Sequence, residues 1–281
     1  MEIQGKTWFI TGGSQGIGLL LAKQLLADGH NVAVTGRDLE SVKTAIGPVS
    51  DKFLPLQVDL ADENSVGTAV EAAIGKFKSI DILVNNAGYG LIGGIEETSA
   101  KETQAIFDIN VFGLLNVTRA VLPHMRSAKS GHIINLSTVF GLIAGAGWGL
   151  YCGSKFAVEG LSEALAQEVK SFGINVTIIE PGYVRTNFLK SGTIAYPENP
   201  ISEYTAIQEE KRKHSEDIPG TQIGDPQKVA EAIIYISQRS EPPLRLLLGS
   251  DALQFAKYKI QMLQQGIEAN KAITLSTDFK S

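Results

Sequence analysis

TWFITGGSQGIGLLLAKQLLADG, residues 7–29, passes from one periodicity to another through a run of glycines. TWFI is short and apolar, the pattern of a strand buried on both faces. From Gly16 onward, leucines and alanines recur at helical spacing up to the glycine at 29. The joint, TGGSQGIG (11–18), carries glycines at 12, 16 and 18. Glycine lets the backbone turn tightly and approach a ligand closely, because no Cβ intervenes. The helix that follows presents free N–H groups and the positive end of its dipole. Gly12, Ser14, Gln15, Gly16, Ile17 and Gly18 are therefore expected to cradle a pyrophosphate.

The same alternation continues outward. NVAVT (31–35), FLPLQV (53–58), IDILVN (80–85), HIINLS (132–137), NVTIIE (175–180) and LRLLL (244–248) read as further buried strands. Residues 63–77, 101–125, 155–173, 225–238 and a last stretch over 250–265 carry helical spacing. In 155–173 the apolar stripe is Phe156, Val158, Leu161, Leu165 and Val169. Strand and helix in alternation predict an α/β fold, a parallel sheet with helices on both faces. The pattern breaks at 187–224, where aromatics, prolines and a charged run lack steady periodicity. So long a stretch inside a compact fold suits a lid better than a linker. The expectation is one catalytic domain over 1–281, with a substrate-binding lid inserted at 187–224.

Composition narrows what such a fold could bind. A net charge of −5 and a pI near 5.5 argue against nucleic acid, which needs a basic stripe. The single cysteine, Cys152, leaves no internal disulfide, and the histidines at 30, 124, 132 and 214 lack ligand spacing, so no metal is expected. EEKRKH (209–214) reads as a solvated helix face. Residues 1–5 lack a signal-peptide pattern, and no apolar run reaches the roughly 18 residues of a membrane span. Together these predict a soluble, cytoplasmic protein.

Two further stretches carry chemistry. The second strand ends in TGRD (35–38). An acidic side chain there would bond the 2′-hydroxyl of an adenosine ribose. Arg37 instead suits a 2′-phosphate, which favours NADP(H) over NAD(H), while Asp38 beside it keeps NAD(H) open. Further along, Tyr151 and Lys155 stand one helical turn apart and share a face. A neighbouring ammonium lowers the pKa of a phenol, fitting it to protonate a carbonyl oxygen as hydride reaches carbon, or to do the reverse. Thr138, thirteen residues before Tyr151, could hold the same oxygen. Ser137 precedes it, but neighbours on a strand point to opposite faces.

Taken in order, TGGSQGIG, VDL (58–60), NNAG (85–88), FDIN (107–110), YCGSK (151–155) and PGYVRT (181–186) resemble the short-chain dehydrogenase/reductase family. The resemblance implies a Rossmann-type doubly wound sheet of seven strands, order 3-2-1-4-5-6-7, with NAD(P) at the strand ends. It makes Tyr151 the general acid/base, and has Lys155 bond the nicotinamide ribose and depress the tyrosine pKa. Asn110 would hold a water in the proton relay. Asp59 and Leu60 would contact the adenine, and Asn86, Ala87 and Gly88 the adjoining ribose. Val184 and Thr186 would meet the nicotinamide amide, with Pro181 and Gly182 in the same cofactor-binding motif. The family usually has serine at the position of Thr138; threonine offers the same donor with a methyl that narrows the site. NADP-using relatives often carry a basic residue where this chain has Gln15, which leaves the cofactor preference to Arg37.

The reading that results is an NADP(H)-dependent oxidoreductase interconverting an alcohol and its ketone or aldehyde. A small apolar substrate would meet Leu91, Ile92, the 143–148 turn with Trp148 as a wall, and Phe188, Leu189, Ile194, Tyr196 and Tyr204 of the insert. PPLRLLLGSDA (242–252) is similar to the branch with 17β-hydroxysteroid and retinol dehydrogenases. Such relatives pair through the helices near 101–125 and 151–172, which implies a homodimer or homotetramer. The alternative is a protein that senses NADP(H) without turnover. Relatives of that kind commonly lose the tyrosine or the lysine, and this chain keeps both.

Overall fold

The β-branched and aliphatic runs fall on seven strands: β1 Thr7–Thr11, β2 Asn31–Gly36, β3 Phe53–Gln57, β4 Ile82–Asn85, β5 Gly131–Leu136, β6 Ile174–Pro181 and β7 Arg245–Leu248. The computed structural model describes residues 5–190 and 192–279. In it these strands form one sheet in the order 3-2-1-4-5-6-7, every pair parallel. The expected doubly wound sheet is thus the one the chain builds. Strand order reverses between β1 and β4, and at such a switch point the loops leaving the strand ends part to form a crevice.

The helices are α1 Gly16–Ala27, α2 Leu39–Ile46, α3 Glu63–Phe77, α4 Ala100–Phe107, α5 Leu114–Ala128, α6 Gly149–Val169, α7 Thr205–Arg212, α8 Pro226–Ser237 and α9 Ser250–Leu275. Alternate strand residues enter two cores. Trp8, Ile10, Val32 and Val34 meet α1, α2 and α8, while Phe9, Ala33, Leu83 and Ile133 meet α3, α5 and α6. Both faces of the sheet are thereby dry.

Three of the expected helices depart from the sequence pattern. The stretch read as one helix over 101–125 is two, α4 and α5, joined by a widened π-helical turn at Asp108–Gly113. By length and composition 100–128 could cross a membrane, but half of its most apolar stretch is buried in the fold, with Val117, Val121 and Met125 in the core. Helix α6 begins at Gly149, ahead of Tyr151, and its inward face is Tyr151, Cys152, Ser154, Lys155, Val158, Glu159 and Ser162. The expected stripe is corrected there: Phe156 and Leu161 face solvent, 41% and 37% exposed. Helix α9 runs ten residues past its expected end, and from Ile260 onward its described side chains are exposed.

The insert is held at both ends. Ile194–Ala195 pairs in parallel with Gly90–Leu91, and Val184 bridges to Gly224 where the chain returns. Between them lie α7 and a second wide turn, Lys213–Asp217.

Candidate active site

Loops at the C-terminal ends of the strands enclose a cavity of about 600 Å³. One end is the glycine turn. Gly12 has φ +69° and Gly16 φ +60°, which L side chains rarely adopt. At Gly18 the constraint is space: a Cβ would lie 2.5 Å from Asn86 Nδ2 and 2.7 Å from Gly12 O. Gln15 caps α1 without any side-chain bond to the first amides, and the first turn holds no acidic residue. Those amides and the helix dipole suit an anion, so the cradle fits a pyrophosphate.

Asn86 braces this turn, its Nδ2 donating to Thr11 O at 2.9 Å and Gly12 O at 2.8 Å. Its amide is engaged within the fold, and Ala87 and Gly88 line the cavity beside it. At the end of β2, Arg37 is exposed and lines the cavity with Asp59, Leu60 and Tyr89. Asp38 is an N-cap. Its carboxylate accepts from Glu40 N, Ser41 N and the Ser41 hydroxyl, bonds that hold its pKa below the usual carboxylate range. The cap and the short helix α2 escaped the sequence reading, although Asp followed by Glu two residues on is a helix-start signal.

At the other end, α6 presents Tyr151 and Lys155 on its buried face. Lys155 Nζ donates to Leu136 O at 2.8 Å and lies 5.9 Å from the centre of the Tyr151 ring. Burial governs both groups, pushing the phenol up and drawing the ammonium down to about 8. The lowering of the tyrosine pKa expected from Lys155 is therefore outweighed by desolvation. Thr138, in extended backbone just past β5, lines the same cavity; its hydroxyl donates to Pro181 O at 3.1 Å and accepts from Phe140 N at 3.4 Å.

Asn110 sits in the wide turn, behind the cavity wall. Its Oδ1 accepts from Tyr89 N, and its Nδ2 donates to Tyr89 O and Ser154 Oγ, each at 3.0 Å. Ser154 in turn donates to Tyr151 O at 2.7 Å. The side chain thus fastens the loop after β4 to the helix that carries Tyr151. Gly18 and Asn110 stand behind the wall, and the other expected catalytic and cofactor residues line it. They include Ser14, Gln15, Ile17, Pro181, Gly182, Val184 and Thr186.

Beside Tyr151 the wall carries the apolar side chains Phe140, Trp148, Phe188, Leu189 and Ile194, with Ser137, Tyr183, Asn187, Thr193 and Gln222 as polar members. Trp148 meets Tyr151 edge-on at 5.5 Å between ring centres and His214 at 4.9 Å. Other expected substrate residues lie elsewhere. Leu91 and Ile92 are buried beneath the site, and Tyr204 points outward to bond Glu96. Tyr196 packs against the cluster from outside the cavity, under Lys211. His214, read as solvated, is buried at 2% exposure. Its Nδ1 donates to Glu210 O at 2.8 Å, so its Nε2 accepts from the Tyr183 hydroxyl at 2.9 Å. Gln15 Nε2 donates to Thr193 Oγ1 at 3.4 Å, joining the insert to the glycine turn.

Residues 6–195 match the family model of the short chain dehydrogenases. Oxidoreductase BOA17 of Botryotinia fuckeliana is 36% identical over 277 residues, 97% of this chain and 99% of its own. Retinol dehydrogenase 8 of Homo sapiens is 35% identical over 260 residues, 87% of this chain and 82% of its own. A solved short-chain dehydrogenase from Streptomyces avermitilis superposes with a TM-score of 0.89 at 34% identity, over 98% of this chain and 99% of that one. A 3-ketoacyl-(acyl-carrier-protein) reductase from Brucella melitensis, complexed with NADH, gives 0.74 at 28% identity over 87% and 96%.

Proposed function

The chain belongs to the short-chain dehydrogenase family of oxidoreductases, and from that premise we propose that it interconverts an apolar alcohol and its ketone or aldehyde with NADP(H). One observation carries the reading: a single cavity is lined at one end by the glycine turn and at the other by Tyr151, Lys155 and Thr138. The dinucleotide would lie along Gly12 to Ile17, Arg37, Asp59, Leu60, Val184 and Thr186, and when bound it supplies the hydride. The chain's own part is to hold the carbonyl against an apolar wall and to move one proton at the Tyr151 hydroxyl. A phenol kept protonated by burial suits reduction, in which the oxygen gains that proton. In the other direction the Lys155 ammonium is what stabilises the phenolate.

Arg37 at the end of β2, with Asp38 engaged as a cap, supports NADP(H) over NAD(H). Phe140, Trp148, Phe188, Leu189 and Ile194 support an apolar substrate, a class to which retinol, named for one relative, belongs. We place the protein in the cytoplasm as a homodimer or homotetramer.

Following NADPH and NADH consumption with apolar ketones and aldehydes of increasing size tests the proposal. Turnover should prefer NADPH. Tyr151→Phe should lose at least about a hundredfold in kcat while NADPH binding is kept. Turnover that survives Tyr151→Phe would remove the proton-transfer assignment, and equal use of NADH would remove the role of Arg37. NADPH binding without turnover of any compound would favour a sensing protein.

A further inference from the structure

Beyond Tyr151 and Lys155, the inward face of α6 continues with a carboxylate. Glu159 lies one helical turn past Lys155 and is 4% exposed, where a helix packed on a sheet ordinarily places an aliphatic side chain. Arg245 of β7 binds it and also binds Glu180 of β6 at 2.6 Å and the exposed Glu163 of α6 at 2.9 Å. On the other side, Gly141 leaves room. A Cβ there would lie 2.5 Å from Ser137 Oγ and 2.8 Å from Glu159 Oε1, so hydroxyl and carboxylate face the same gap.

Lys155 is 6% exposed and donates to one carbonyl, that of Leu136. A buried ammonium with a single neutral acceptor needs a counter-charge nearby. Tyr151, whose ring centre is 5.9 Å away, is neutral through burial; Glu159, one turn along the same buried face and not in direct ion-pair contact, is the charge that acts on the ammonium. Glu180 and Glu163 lie on the Arg245 side of Glu159, and Arg245 itself has the same sign as Lys155.

We propose that Glu159, clamped by Arg245, is a positioning residue: the buried counter-charge that keeps the Lys155 ammonium in place beside Tyr151. The inference rests on reading Tyr151 and Lys155 as the reacting pair. Protonation behaviour agrees with the geometry. Burial draws Lys155 down and Glu159 pushes it back up. Burial, with Glu180 beside it, raises Glu159 against the pull of Ser137 and of Arg245. The carboxylate thus gains its charge as the pH rises toward the range in which Lys155 would shed its proton.

Titration of Lys155 itself tests this. Full-length protein carrying 13C-labelled lysine would be followed by NMR across pH, with the Lys155 signal assigned by its loss in Lys155→Met. In Glu159→Gln the midpoint should fall by about one pH unit from the wild-type value near 8. Glu159→Asp, with its charge one methylene further back, should fall between the two. Glu163→Gln, which takes a different partner from Arg245, should leave the midpoint where it is. An unmoved midpoint in Glu159→Gln overturns the proposal, and so does an equal fall in Glu163→Gln, which would trace the effect to a loosened clamp. Should Glu159→Gln not fold, an unmoved midpoint in Glu159→Asp decides against it. The readout is a proton on Lys155, so it answers even for a protein that turns over none of the carbonyl compounds offered. That failure would appear separately, in the wild type.

Discussion

Thr138 gives its only hydroxyl proton to the carbonyl of Pro181. For the hydroxyl to hold a substrate oxygen it must leave that carbonyl, one hydrogen bond replacing another at a net difference of about 1 kcal/mol. Thr138→Ser should keep kcat/KM for a ketone within about threefold, since serine makes the same exchange with a freer χ1. Thr138→Ala should lose roughly tenfold or more. Equal rates in the two variants would show an idle hydroxyl. Single residues were legible wherever spacing alone defines placement, as for Tyr151 and Lys155, one turn apart on the buried face of α6. They were not legible where one side chain has two possible employers. Asn86 and Asn110 occupy the positions their motifs imply, yet both turn their amides to backbone and brace the loops. A sequence does not distinguish an amide that meets a ligand from one that ties down the loop meeting it. Asp38 shows the same ambiguity between cap and ligand.

Elements were legible where burial is uniform. Parallel strands covered on both faces read as continuous apolar runs, and all seven were found within a residue or two. Helix α6 was misread because its inward face carries the site, leaving aromatic and aliphatic residues outside. The wide turn at Asp108–Gly113 was missed because one extra residue in a helix barely disturbs an apolar period. Strand β5 carries a pH dependence of its own. His132 is 5% exposed, its Nε2 lies 2.9 Å from Thr177 Oγ1, and burial lowers its pKa to about 4. The folded chain therefore keeps the ring neutral, while the unfolded chain takes up a proton near 6.5. This contribution is complete above pH 6.5 and lost as the pH falls toward 4, about 3 kcal/mol in all. Urea midpoints should drop across that interval in the wild type and less steeply in His132→Gln. Parallel slopes would acquit the imidazole.

For the molecule as a whole, strand order followed from a motif set that runs through the chain, whereas the proposed association has only exposed side chains to support it. Phe112, Phe156 and Leu161 are exposed at 44%, 41% and 37% on the helices through which the family resemblance implies pairing. Light scattering should give a multiple of 30.1 kDa for the wild type and a single chain for Phe112→Arg with Phe156→Arg. A monomeric wild type would dismiss the pairing. The parallel sheet also sets an order of assembly in the cell. The glycine turn lies near the start of the chain, but Arg245 leaves the ribosome 86 residues after Glu159 and 65 after Glu180. At translation speeds of roughly 5–20 residues per second, both carboxylates wait several seconds for their cation. A nascent chain therefore carries Glu159 and Glu180 for seconds before the cation that ties them together exists, and translation that stops short of β7 leaves both carboxylates without it.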